Sequence, residues 1–441
     1  MTRGRRPRSV GCAIGMLLVG SAAAFAEAGD TQSLPGYLAA FELDRAARSF
    51  LEEPLPWDDA KSALALRVLA RLHLAPAERM VAWEREAMAI GDEVTALGDR
   101  LVRVDGRAVR VAPAAADAAT GGATTARLVR LLAADGRAVD VLAAAVPAAW
   151  LQGRTIDEPA EVVGLPLAVG TGPTPAFAGE PWPSPPPDLL LAGGRVAWHP
   201  ATALGRLGMD YGLFDTVVDG RPLTAADGDA LYALLAAVGR GDTPTEGAPP
   251  ITDLIDPAAR WFTHHRGEPV RISGVCRRAT RIEIDDPLRR AQAGTDHYWE
   301  VFVFVETPLL QIYGRMHETY PVVGCVRELP AGMPTGPTIN ERVDVAGFGF
   351  KRYAYPLPPT ATDGGAPRRL EVPLIVGTRA IWRPAALRSP AAPPTAAIPA
   401  VVVPLAAALG ALAWWGWSHG RRPPRRTLPT TLRLPDDGPG S

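Results

Sequence analysis

Apolar positions along this chain fall into helical and alternating patterns, and each kind of pattern occurs twice. Asp58–Leu72 and Pro76–Leu97 carry apolar residues at helical spacing, with Met80, Trp83, Ala87, Val94 and Leu97 forming one stripe. Alternating runs follow at Leu101–Val111, Ala126–Leu132, Val139–Leu142, Glu161–Val169 and Leu189–Pro200. Helical spacing then returns at Thr224–Val238 and Asp253–Thr263. A second set of alternating runs covers Val270–Ile284, Trp299–Val305, Val322–Leu329, Asp344–Arg352 and Pro373–Pro384. Each half therefore reads as a helical pair followed by about five short strands.

The halves also match residue by residue. Ile156, Glu158, Val162 and Gly164 correspond to Ile339, Glu341, Val345 and Gly347, an offset of 183 residues, and Trp198 corresponds to Trp382 at 184. A period held this closely predicts a tandem duplication. TAADGDALYALLAAV resembles DDAKSALALRVLARL in pattern, and on the same reading Trp261 is the counterpart of Trp83. Within the repeated strand, Val343 and Val345 point one way and Phe348 and Phe350 the other. Strict alternation forbids this unless one extra residue intervenes, and Gly347 marks a β-bulge there, as Gly164 does in copy one. Asp105-Gly106 and Asp135-Gly136, each between alternating runs, predict tight hairpins. Trp299–Val305 is apolar on both faces, so it needs a barrel interior beneath it and something packed outside. Copy two has 15 residues at Glu306–Tyr320 where copy one has 5 at Ala133–Arg137, which predicts a protruding hairpin.

A five-stranded, bulged small barrel resembles the OB-fold, and Gly267–Gly274 is similar to an OB first strand. The expected fold class is α+β: a tandem repeat of a helical pair plus an OB-like five-stranded β-barrel, with one C-terminal transmembrane helix. LGMDYGLFDTVVDGRPLTAADGDALYALLAAVGR (Leu207–Arg240) resembles bacterial membrane-anchored proteins with tandem OB-like modules. That group has no assigned activity, so the resemblance implies an architecture and carries over no functional residue.

The two ends add placement. Arg3, Arg5, Arg6 and Arg8, an apolar Gly11–Gly20 and the small residues Ala24-Phe25-Ala26 read as a signal peptide over 1–26, with an uncleaved anchor as the other reading. Helical and barrel segments follow at 27–97, 98–200, 201–266 and 267–384, then a Pro/Ala stalk at 385–397. Residues 398–417 run without a charge, enough to span a bilayer; a buried soluble helix is the alternative. Trp414, Trp415, Trp417 and the arginines 421, 422, 425 and 426 place the far end, and the 418–441 tail, in the cytoplasm. Pro-rich stretches at Thr171–Pro187 and Pro356–Glu371 occupy the same place in each copy, between the last two strands. The chain has 441 residues and a net charge of −1, so no global field draws it to nucleic acid.

No nucleophile elbow, phosphate loop, zincin helix or paired Cys-x-x-Cys occurs. His264, His265, His297 and His317 cluster in copy two with Asp296 and Glu300, read either as metal ligands or as solvated and capping side chains. A basic and aromatic set, Arg266, Arg277, Arg278, Arg281, Lys351, Arg352, Tyr353 and Tyr355, also belongs to copy two alone, with Arg277, Arg278, Lys351, Arg352 and Tyr353 as candidate binding residues. On an OB-like barrel such a face holds an anionic polymer or a partner; the other reading is a solvated surface. Lys351 and Arg352 are expected to carry their charged heads to solvent. Cys276 and Cys325 either bridge or fill small buried positions. The sequence thus points to a non-catalytic, membrane-tethered binding or scaffolding protein of the cell envelope. It would have no cofactor and an envelope protein or glycan as partner. An envelope enzyme or metal-binding protein using the copy-two histidines is the alternative.

Overall fold

The alternating segments fold as strands that pair in the same order in each half. The computed structural model describes residues 32–52, 59–90, 99–114, 126–152, 156–169, 186–244, 246–312, 315–357 and 368–384. The first half holds β1 (Met88–Ala89), β2 (Val102–Pro113), β3 (Arg127–Ala133), β4 (Ala138–Ala145), β5 (Glu158–Val169) and β6 (Leu189–Trp198). The second holds β7 (Pro269–Glu283), β8 (His297–Ile312), β9 (Arg315–Glu328), β10 (Glu341–Leu357) and β11 (Arg368–Arg383). In the second half β7, β8 and β9 pair in antiparallel succession, β9 pairs in parallel with β11, and β11 and β7 both pair with β10, closing a barrel. In the first half β2-β3-β4, the parallel β4–β6 pair, β6–β5 and β5–β2 repeat that order and sense, while β1 adds in parallel to β2. The architecture is mixed α+β, with a closed five-stranded barrel and a second sheet.

Each strand set buries two faces. Val301, Val303, Val322, Val343 and Ile375 form one core to which all five second-half strands contribute, the barrel interior. Phe302, Val323, Phe348, Phe350 and Leu374 form another, outside the wall, under the helix Gly228–Val238. The doubly apolar Trp299–Val305 run is therefore buried on both sides, as its composition requires. The first half matches this arrangement: Val104, Val129, Val141, Val162 and Leu191 lie in one core, and Leu128, Leu142, Leu165 and Leu190 in another with Leu66 and Leu69 of the helix Asp59–His73. The switch of face along β10 occurs at a register shift between Val345 and Phe348, and along β5 at one between Val162 and Gly164.

The helices are α1 (Leu34–Ala39), α2 (Arg45–Ser49), α3 (Asp59–His73), α4 (Ala77–Arg85), α5 (Ala203–Arg206), α6 (Gly228–Val238), α7 (Ile251–Ile255), α8 (Trp261–His265) and α9 (Pro287–Ala293). Three expectations are corrected here. The helix expected over Pro76–Leu97 stops at Arg85, and Met88 and Ala89 join the sheet. The helix expected over Asp253–Thr263 is two short ones, broken where Arg260 takes a left-handed conformation (φ 46°) after Pro257. Its Trp261 belongs to the barrel interior and Trp83 to the outer core of the first half, so the two tryptophans are not counterparts.

Asp105-Gly106 is a further correction. β2 runs straight through it, paired to β3 on one side and β5 on the other. Gly106 is required because a Cβ there would collide with the Leu132 carbonyl, not because the chain turns. The expected Asp135-Gly136 hairpin does form, between β3 and β4. The β8–β9 hairpin keeps pairing out to Ile312 and Arg315 and presents Leu309 and Met316 to solvent.

The Leu207–Arg240 stretch joins the two halves through its carboxylates. Asp210 accepts hydrogen bonds from Arg195 Nε (2.6 Å) and the Trp198 amide (2.9 Å), and Asp215 from the Ala148 amide (2.8 Å), all in the first half. Asp219 accepts from the Arg352 amide and Arg266, and Asp227 from Lys351, all in the second. Aromatic rings run across the same joint: Trp198 to Tyr211 (5.7 Å), Tyr211 to Phe214 (5.4 Å) and Phe214 to Phe350 (6.3 Å).

Among the described residues no helix is long and apolar enough to cross a membrane. The predicted signal segment 1–26, the stalk, the apolar stretch 398–417 and the tail lie outside the described residues, as does most of both Pro-rich stretches, which link β5 to β6 and β10 to β11.

Candidate functional site

The outer face of the second-half barrel gathers the charged and aromatic side chains. Cys276 and Ala279 both belong to the interior core, and the two residues between them break the alternation. A register shift between Cys276 and Arg278 absorbs the extra residue and turns Arg278 outward, opposite Phe302. The Arg278 guanidinium lies 3.8 Å from the Phe302 ring centroid, and its Nη2 reaches Glu300 Oε1 at 2.5 Å. This combines a cation–π contact with a charge-assisted hydrogen bond. Tyr298, Glu300 and Phe302 alternate along β8 and share this face.

The far half of β10 forms the other wall. A second register shift, between Gly349 and Lys351, carries β10 beyond the barrel, where Tyr353 pairs opposite Val372 and Tyr355 opposite Leu370. The Tyr355 ring lies 5.0 Å from Phe302. Tyr353 is half-buried; burial first, and then the Glu300 charge, push its pKa up, so it remains a neutral hydroxyl. Burial likewise raises Tyr298. The accessible part of this face is one guanidinium, one carboxylate and the partly buried Tyr353 and Tyr355 rings, seated on the buried Tyr298 and Phe302 rings, an arrangement suited to stacking and hydrogen bonding, with no nucleophile–base pair in it.

The structure brings only two of the five candidate binding residues together. Arg278 and Tyr353 line this face. Arg277 lies at the bulge and donates to Asn340 Oδ1 at 2.6 Å. Arg352 projects to the opposite side of β10 and pairs with Glu371. The expectation for Lys351 is corrected: it is 0 % exposed, and its Nζ donates to Asp227 Oδ1 at 2.9 Å beside the Pro222 carbonyl. Consecutive strand residues cannot share a face, so Lys351, Arg352 and Tyr353 never form one contact surface. Tyr355 belongs to the basic and aromatic set read from the sequence, whereas Glu300 and Phe302 escape that reading because Phe302 lies in an apolar run that reads as packing alone. Their signal was the Arg277-Arg278 pair between two inward positions.

Cys276 and Cys325 are free thiols. Cys276 lies in the interior core and Cys325 in the outer one, so the barrel wall separates their side chains. Burial pushes the Cys276 thiol up to about 11 and raises Cys325 further. His264 and His265 end α8, His297 contacts Asp296, and His317 is on the β8–β9 hairpin. Among the described residues no three His, Cys, Asp or Glu side chains converge to hold a metal ion.

No protein-family model matches the chain, and the search of curated proteins finds no match either.

Proposed function

We propose that this chain is a non-catalytic binding or scaffolding protein of the cell envelope. On this reading two OB-like modules stand outside the cytoplasm on a C-terminal membrane tether, and the contact surface is the outer face of the second module. The observation that carries the reading is the Arg278–Phe302–Tyr355 stack, bordered by Tyr353 and Glu300. The first module differs at the matching place. There Arg130 stands opposite Arg110 as Phe302 stands opposite Arg278, and Arg130 is buried in an ion pair with Asp140. One module keeps a part-exposed guanidinium over a buried ring where the other keeps a buried ion pair.

Duplication of one module also belongs to this proposal, and several interactions support it. Trp198 Nε1 donates to Glu158 at 3.0 Å, and Trp382 Nε1 donates to Glu341 at 2.8 Å, linking residues that match at the repeat offset. Glu161 pairs with Arg103 and faces His199, and Asp344 pairs with Arg383 and faces Arg271, so each copy sets a carboxylate between bases from its first and last strands. The tether rests on the uncharged 398–417 stretch and the arginines after it.

The test compares wild-type protein purified from membranes with an Arg278→Ala/Tyr353→Ala double variant. Both side chains are partly exposed, so the melting temperature should hold while recovery of co-purifying envelope protein or glycan falls. Equal recovery at an equal melting temperature would show that this face is not the contact.

A further inference from the structure

The second barrel also has an end where β8 begins and β9 stops, and there the inward-facing residues of β8 lie on the other side of the strand from the face described above. Trp299 stands opposite Val326 in the β8–β9 ladder, and Trp299 packs against the interior core to which Val326 belongs. Two residues further out, at the ends of the two strands, His297 and Glu328 return by alternation to that same inward side. A cleft of about 300 Å³ opens here, lined by Thr295, His297, Trp299, Arg327, Glu328 and Leu329. That volume lies at the lower end of the range for small-molecule sites, about 300–1,000 Å³. It suits a single ring and excludes a folded partner.

The lining chemistry narrows the ligand. The His297 ring meets the Trp299 indole edge-on, with centroids 6.4 Å apart at 83°. Its Nδ1 lies 2.6 Å from Asp296 Oδ1; a carboxylate can only accept, so Nδ1 is the donor of that pair, and in the neutral ring Nε2 is the acceptor. Glu328 is a second, exposed acceptor. Arg327 is anchored away from the cleft: Nη1 donates to the Leu235 and Ala293 carbonyls (2.8 and 2.7 Å) and Nη2 to that of Gly294 (2.9 Å). Arg281 pairs with Glu283, which stands opposite His297. Arg379 stands opposite Glu328 in the β9–β11 ladder, so three carboxylates, Glu283, Asp296 and Glu328, balance three guanidinium groups, which leaves no positive surplus for an anion. What the site offers is an indole surface beside hydrogen-bond acceptors.

We propose that this cleft binds a neutral pyranose ring of a glycan, lying against the Trp299 indole with its hydroxyls donating to His297 Nε2 and the Glu328 carboxylate. The site does not depend on the outer-face reading, because the two use different residues on opposite sides of β8.

The experiment uses the full chain, ¹⁵N-labelled at tryptophan, in a detergent without a sugar headgroup. Trp299→Phe assigns the Trp299 indole resonance. Chitotriose, cellotriose and maltotriose are titrated to millimolar concentration, with sulfate and zinc as controls. The Trp299 resonance should shift saturably with at least one trisaccharide and with neither control. His297→Ala and Glu328→Gln should each weaken that binding about tenfold, a change of about 1.4 kcal/mol, at unchanged melting temperature. The proposal is overturned if no trisaccharide moves the resonance, if only sulfate or zinc does, or if both variants bind as the wild type does.

Discussion

Lys351→Met is the most informative single substitution in this chain. Lys351 and Asp227 form an ion pair with both side chains out of water, across 124 residues of sequence. Methionine retains the volume of the lysine stem but leaves the Asp227 carboxylate without its cation. Oδ2 still accepts from the Thr224 amide (2.8 Å) and hydroxyl (3.0 Å), while Oδ1 loses the only donor described for it. Removing one partner of a buried pair costs about 3–5 kcal/mol. The two remaining Thr224 bonds place this case near the lower end, about 3 kcal/mol. With a urea slope of about 3 kcal/mol/M for a chain of this size, the unfolding midpoint should fall by about 1 M. Lys351→Met/Asp227→Asn removes both charges and should recover about 2 kcal/mol of the loss, the signature of direct coupling. Arg352→Ala, one residue away but paired at the surface, should cost no more than about 1 kcal/mol. Urea titrations followed by circular dichroism read all three. A Lys351→Met midpoint equal to that of wild type, at unchanged slope, would refute the buried pair.

Other outcomes can be checked in the same preparation. Native protein at neutral pH should resist alkylation at Cys276 and Cys325, whose thiols are buried and raised in pKa; after unfolding without reductant, peptide mass analysis should find both modified, and an unmodified 276–325 pair would mean a bond. Trp198→Phe and Trp382→Phe each remove one hydrogen bond to a matched glutamate and should lower stability by similar amounts, about 1 kcal/mol; a large asymmetry would undo the equivalence of the two sites. Burial works to raise the Asp344 pKa, but hydrogen bonds from Arg383 and Ser273 outweigh it and hold the carboxyl below the usual range. A depressed folded pKa contributes stability above the unfolded value of about 3.9 and loses it as pH falls through the folded one. Asp344→Asn should therefore flatten the acid-side decline of the melting temperature below about pH 4, and an unchanged slope would remove Asp344 from that account.

Much of the barrel was legible because it rests on alternation. Val343, Val345, Phe348 and Phe350 announced a change of face, and the ladder shifts at that place. The same reasoning applied to Gly164. Asp105-Gly106 misled because a turn dipeptide and a close backbone crossing look alike in one dimension; only the neighbouring carbonyl of Leu132 distinguishes them. Lys351 misled for a related reason. A lysine after Phe350 reads as a surface residue, since the carboxylate that holds it lies far away in sequence and behind a second register shift. Arg278 was found as part of a charged pair, but its partner Phe302 was hidden in an apolar run, where period alone does not separate a stacking ring from a packing one.

The way β11 is held bears on how the molecule carries load. β11 ends at Arg383, with β10 antiparallel on one side and β9 parallel on the other. Ladder hydrogen bonds lie across the strand direction. A tension applied at Arg383 along β11 therefore strains both ladders together in shear and does not peel them open one bond at a time. The strand from which the chain leaves the barrel is thus gripped from both sides against being drawn out.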